Sequence, residues 1–120
     1  MAKILIVDDS RTSRKILKGI LENTGCEVVG EATNGQEGYE RYVELKPDIV
    51  TMDITMPVLD GIEALKKIKG EYPDAKVVMV TAAGQKTKMV EAVQNGASEF
   101  VSKPFEPDQL KTIIEKVMAM

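Results

Sequence analysis

The stretch Lys3-Ile4-Leu5-Ile6-Val7-Asp8-Asp9 decides the fold: four consecutive aliphatic residues, then two adjacent carboxylates. A run this short, apolar at every position rather than at every second one, suits a strand buried on both faces, as in a parallel sheet. The same plan returns along the chain. Ile49 to Asp53 is a second such run ending in an aspartate, and Val77 to Thr81 ends in a hydroxyl. Phe100 to Lys103 ends in a lysine, and Glu27 to Ala32 is a weaker strand candidate. Helical spacing fills the intervals: Ile16, Leu17, Ile20 and Leu21; Ile62, Leu65 and Ile68; Met89, Val90 and Val93; Leu110, Ile113, Ile114 and Val117. The segment from Asn34 to Leu45 reads as helix despite Gly38. Asn34 with Glu37, and Asp60 with Glu63, have the spacing of capping boxes, and Pro107 suits a first helical turn.

Strand and helix alternate five times. The expected architecture is one α/β domain over residues 1–120, a flavodoxin-like (βα)5 three-layer sandwich with a parallel five-stranded sheet in the order 2-1-3-4-5. Composition agrees: of 120 residues, 43% are hydrophobic and 29% charged, a soluble globular balance that excludes disordered and collagen-like chains. The net charge of -3 argues against a general nucleic-acid or polybasic membrane-surface binder. No apolar run approaches a membrane span, and four apolar residues near the start are too few for a signal-peptide core, so a cytoplasmic location is expected. The single cysteine, Cys26, allows no internal disulfide, and the absence of histidine removes His-based acid–base chemistry and the usual zinc sites.

Ligands of open parallel sheets sit beyond the carboxyl ends of the strands. That rim collects Asp8 and Asp9 from the first strand, Asp53 from the third, Thr81 from the fourth and Lys103 from the fifth. Clustered carboxylates repel unless a cation lies between them. An all-oxygen donor set favours a hard divalent ion, with Mg²⁺ the natural candidate. A carboxylate beside such an ion can attack a phosphoryl group, while a lysine and a hydroxyl neutralise and hydrogen-bond the transferred oxygens. Residue types alone leave open which aspartate attacks. Asp53 is the better candidate, since it stands alone while Asp8 and Asp9 are adjacent and can share metal duty.

These residues in this order, with Pro104-Phe105 after Lys103 and with Asp53-Ile54-Thr55-Met56-Pro57 followed by Asp60-Gly61, resemble the receiver domain of two-component response regulators. The resemblance runs from about Lys3 to Val117, and because nothing is left over it is to the stand-alone receivers of the chemotaxis type. It implies a phosphoacceptor at Asp53; Mg²⁺, or Mn²⁺ in its place, held by Asp9, Asp53 and the backbone carbonyl of Thr55, with Asp8 acting through a metal-bound water; and Lys103 paired with the phosphoryl oxygens. It further implies a switch pair, Thr81 and Phe100, and a cis Lys103–Pro104 peptide. The implied partners are a sensor histidine kinase, the flagellar motor switch and a phosphatase. The implied protein is a monomeric signalling protein that assists its own phosphorylation and dephosphorylation, not an enzyme. Phe100 stands where many chemotaxis receivers have tyrosine, which removes a phenol hydroxyl from the switch. Thr55 and Ala83 stand where the family tunes self-dephosphorylation.

Other readings compete. A phosphorelay intermediate and the isolated receiver of a transcriptional regulator share every one of these motifs. A phosphatase with an aspartyl nucleophile would carry that aspartate on its first core strand and need a longer chain. Read singly, Asp8 and Asp9 also fit a helix cap with Ser10.

Overall fold

The computed structural model describes all residues, 1–120. Its elements are β1 (Lys3–Val7), α1 (Arg11–Asn23), β2 (Glu27–Ala32), α2 (Gly35–Leu45), β3 (Ile49–Asp53), α3 (Gly61–Glu71), β4 (Val77–Thr81), α4 (Lys86–Gln94), β5 (Glu99–Ser102) and α5 (Pro107–Met118). All strand pairs are parallel, and the sheet order is β2-β1-β3-β4-β5. The flavodoxin-like architecture expected from the alternation is the observed one.

Burial explains why the strand runs are apolar throughout. Every residue of β3 and β4 is buried, because helices cover both faces. One core, with Leu5, Val50, Met52 and Met79 from the sheet, packs under α2, α3 and α4. The other, with Ile4, Ile6, Ile49, Val78 and Val80, packs under α1 and α5. Adjacent strand residues therefore serve opposite layers, the period-two rule applied with two apolar faces.

Local signals act as chemistry demands. The Asn34 side chain accepts the Glu37 N–H at 2.8 Å, and the Glu37 carboxylate accepts the Thr33 N–H at 3.0 Å, close to a reciprocal capping box. The Asp60 side chain accepts the Glu63 N–H at 2.9 Å. Gly38 does not break α2; it lets the helix approach β1 so closely that a methyl group there would lie 2.8 Å from Val7 Cγ1. The glycine is a packing requirement, and tertiary contact outweighs its helix propensity.

Three expectations need correction. β5 runs Glu99–Ser102, one residue earlier than the expected 100–103, so Lys103 follows the strand. There its N–H still bonds to Thr81 O at 2.8 Å, but the next residue is Pro104, which has no N–H to continue a ladder. The apolar spacing of α4 also misleads: Val90 and Val93 are exposed, and only Ala92 of that helix is buried. Ile16 of α1 is likewise exposed.

Candidate functional site

The carboxyl end of β1 delivers Asp8 to the rim at 2% exposure, with Asp9 beside it in solvent. α1 is capped by Ser10, whose hydroxyl accepts the Ser13 N–H at 3.2 Å, so neither aspartate is the cap residue. Asp8 instead fixes the turn: its Oδ1 accepts the Ser10 N–H at 2.8 Å. The Asp8 carbonyl accepts from Arg14 Nη1 at 2.8 Å, while Arg14 Nε donates to Glu31 Oε1 at 3.1 Å. A guanidinium on α1 thereby ties the acidic turn to β2.

Asp53 ends β3 at 7% exposure. The residue that follows it is pinned from the other side, because the Gly61 N–H at the start of α3 donates to Ile54 O at 2.7 Å. A methyl group on Gly61 would overlap the Asp53 carbonyl oxygen. The Asp60-Gly61 pair therefore does two jobs: the aspartate caps α3, and the glycine lets that helix start against the Asp53 carbonyl.

Lys103 reaches in from the end of β5. Its Nζ lies 3.0 Å from Asp8 Oδ2 and 3.4 Å from Asp53 Oδ2. Carboxylate oxygens of Asp8, Asp9 and Asp53 lie within 4.8 Å of one another. Burial and then the neighbouring Asp8 charge push the Asp53 carboxyl up to about 6, against the lowering pull of Lys103. Burial draws the Lys103 ammonium down, but the hydrogen bond to Asp8 and the charges of Asp53 and Asp8 outweigh it and leave the pKa raised. One lysine thus answers three carboxylates. The residual negative charge and the all-oxygen donors fit a hard divalent cation.

Thr81 closes β4 at 5% exposure, and its hydroxyl donates only a long 3.5 Å bond to Val101 O. Phe100 lies on the neighbouring strand, half-buried against the α2–α4 core. The Lys103–Pro104 peptide is cis. Thr55 is exposed in the loop after β3, and its hydroxyl accepts from Gln85 Nε2 at 2.8 Å. The structure therefore brings Asp8, Asp9, Asp53 and Lys103 into one cluster. Thr81 lies on the adjacent strand end, and Thr55 and Phe100 on flanking positions.

Two residues at the rim, Arg14 and Gln85, carried no sequence signal of their own roles. Gly61 is legible only as part of the Asp60-Gly61 motif, with no sign of its close approach to the Asp53 carbonyl. Only the folded chain reveals what each one touches.

The family model for the response regulator receiver domain matches residues 4–115. The chemotaxis protein CheY of Thermotoga maritima is 50% identical over 115 residues, 96% of each chain. CheY of Bacillus subtilis is 47% identical over 116 residues, 97% of each chain. Among solved structures, the CheX-CheY-BeF3-Mg²⁺ complex from Borrelia burgdorferi matches at TM-score 0.91 and 33% identity, covering 97% of this chain and 88% of that one. The response regulator domain of Thermotoga maritima CheB matches at TM-score 0.87 and 39% identity, covering 100% and 98%. With motif, fold and sequence in agreement, this chain belongs to the response regulator receiver family.

Proposed function

We propose that this chain is a stand-alone response regulator, one receiver domain over residues 1–120. It accepts a phosphoryl group on Asp53 from a histidine kinase and changes its affinity for the flagellar motor switch in chemotaxis. The observation that carries the reading is the placement of Asp53, buried at the sheet's rim and joined to Asp8 through the shared Lys103 ammonium, with Asp9 alongside. The full-length similarity to chemotaxis proteins supports the output. The protein works in the cytoplasm as a monomer, with a phosphatase among its partners. It is a signalling protein that assists its own phosphorylation and dephosphorylation, rather than an enzyme.

The transfer balances simply. An Asp53 carboxylate oxygen attacks phosphorus in line, and the P–O bond forms as the P–N bond to the donor imidazole breaks. The imidazole nitrogen leaves with the electron pair. The product on Asp53 is an acyl phosphate. Asp8, Asp9, Asp53 and the Thr55 carbonyl would hold Mg²⁺, or Mn²⁺ in its place, and the bound ion supplies charge neutralisation to the equatorial oxygens. Lys103, held now by Asp8 and Asp53, reaches the same oxygens and keeps their charge compensated. Thr81 has little to lose in turning towards the new group, because its present hydrogen bond is at the outer limit of length. Phe100 lacks a hydroxyl, so it moves inward without breaking a bond. A population shift then reshapes the surface of α4, β5 and α5.

Acetyl phosphate with Mg²⁺ should add one phosphoryl mass to the wild-type chain and none to Asp53→Asn, read by intact-mass analysis. Full labelling of Asp53→Asn would overturn the acceptor assignment. Titration calorimetry with the amino-terminal peptide of a flagellar switch protein should show tighter binding when the protein carries beryllofluoride and Mg²⁺. Equal affinity with and without the mimic would remove the motor switch as the output.

A further inference from the structure

The side chain of Gln85 does something its position in the chain does not require. Gln85 immediately precedes α4, where a side chain ordinarily caps the helix's free N–H groups, yet it makes no such bond. Instead its carboxamide turns back. Oε1 accepts the Ala82 N–H at 2.7 Å, and Nε2 donates to the Thr55 hydroxyl at 2.8 Å. The orientation is forced, because a backbone N–H can only face the carbonyl oxygen of the amide. Gly84, at φ +84, makes the backward turn possible. One side chain thus bridges the β4–α4 turn and the β3–α3 loop on the strand-end rim that carries the acceptor site.

Both anchor points are sensitive ones. Ala82 follows Thr81, whose hydroxyl is the group that would turn to a phosphoryl oxygen. Turning it moves the peptide that joins the two residues, and the N–H of that peptide is the one Gln85 holds. A phosphoryl group also seeks backbone N–H donors, and a single N–H cannot serve it and Oε1 together. Thr55 anchors the other end, on the loop that leads away from Asp53. α4 begins at the next residue after Gln85 and has no other side-chain tie at its start.

We propose that Gln85 is a positioning residue that latches the two loops in the unmodified protein and has to release Ala82 when the acceptor site is charged. The proposal rests on the reading of Asp53 as phosphoacceptor. The latch resists occupancy of the site and couples it to the start of α4: the bond that yields when Thr81 turns is the one restraining that helix.

The test compares wild type with Gln85→Met, which keeps side-chain length and removes both bonds. In the unmodified proteins, the Ala82 amide should exchange with solvent about tenfold faster in Gln85→Met, read by NMR. Gln85→Glu should restore protection, since its carboxylate accepts both from Ala82 and from the Thr55 hydroxyl. With Mg²⁺ present, Gln85→Met should bind beryllofluoride about fivefold more tightly, the size of one modest hydrogen bond. Its affinity for Mg²⁺ alone should stay within twofold. Thr55→Val, which keeps the backbone carbonyl, should move beryllofluoride affinity the same way by a smaller factor, and it serves if Gln85→Met fails to fold. Unchanged Ala82 exchange, or equal beryllofluoride affinity in wild type and Gln85→Met, overturns the latch alone. No beryllofluoride uptake by wild type overturns the acceptor reading and the latch with it.

Discussion

The turn after β1 and the turn after β4 lie on the same rim, yet they are held very differently. The Asp8 turn is fixed from several sides: its carboxylate takes the Ser10 N–H and Lys103, and its carbonyl takes Arg14, itself bonded to Glu31. The β3 end is equally confined, with Gly61 pressed against the Asp53 carbonyl. Past β4, the hydroxyl of Thr81 has one long bond, Gln85 spends its carboxamide on neighbouring loops, and α4 buries a single residue. On the proposed function, the groups that hold the acceptor and the cation are overdetermined. Groups that must move in response are attached by little. A modification worth a few hydrogen bonds can only shift an equilibrium whose two states differ by a comparable amount. The thinly packed side of the rim is where such a balance can exist.

Gly61→Ala attacks the confined side most directly. The added methyl meets the backbone of Asp53 and Ile54, which has no flexible end to yield. We expect a loss of roughly 2–3 kcal/mol, at the upper part of the overpacking range, together with slower labelling of Asp53. Chemical denaturation measures the first and intact mass the second. A loss below about 0.5 kcal/mol would mean the β3–α3 junction is as pliant as the β4–α4 turn, and the contrast would fail.

Asp53 also stores a pH-dependent strain. Its folded-state pKa of about 6 lies above the ordinary carboxyl value of about 3.9. Between those values the folded chain binds more protons than the unfolded one, so this group's contribution falls as pH rises from about 4 to 6 and stays low above. Asp53→Asn removes the penalty. Without metal, and above pH 6, the variant should be more stable than wild type by on the order of 1–2 kcal/mol, discounted from a fully buried carboxylate because the rim opens to water. The difference should vanish near pH 4. Thermal melts across that range decide it, and a variant less stable than wild type at pH 7 would show that Lys103 more than compensates the charge.

The sequence was readable where one residue's identity carries its own reason. Unbroken aliphatic runs required a two-faced sheet, and Asp8, Asp53 and Thr81 sit at the ends of such runs, with Lys103 just past the shorter, mixed β5, so the topology carries all four to one rim. What stayed hidden depends on contact between distant segments. Arg14 bonds across 6 and 17 residues, and Gln85 across 30, and no local pattern encodes either partner. Gly38 reads locally as a weakness in α2, but Val7 lies directly beneath it and leaves no room for a side chain. The α4 stripe misled for the converse reason: Met89, Val90 and Val93 have helical spacing, but Ala92 is the helix's one buried residue, Met89 packs only partly against the core, and Val90 and Val93 face solvent.

Val58 is a smaller test of the confined side. It is 82% exposed with φ +68, and the Leu59 N–H closes a tight turn around it onto Pro57 O at 2.7 Å. A β-branched residue at the centre of such a three-residue γ-turn is strained by about 1 kcal/mol or more relative to glycine. Val58→Gly should therefore raise the denaturation midpoint by an amount equivalent to at most about 1 kcal/mol, the relief offset in part by glycine's extra unfolded-state entropy, and leave labelling of Asp53 unchanged. A fall in stability would show that the valine side chain has a packing role its exposure does not suggest.

The smallest expected effect bears hardest on the contrast. Val90 and Val93 on α4 are 54% and 59% exposed, and replacing either with threonine keeps its branched shape while adding a hydroxyl to water. Each change should alter stability by less than about 0.5 kcal/mol, as at ordinary surface positions. Leu65→Ala in α3, by comparison, should lose about 2–5 kcal/mol, since Leu65 is fully buried. A loss above about 1.5 kcal/mol for Val90→Thr or Val93→Thr would mean that α4 is packed as firmly as α3. The weak attachment by which, on the proposed function, a phosphoryl group would reposition it would then be absent, and the proposed switch would have to lie in β5 and Phe100 alone.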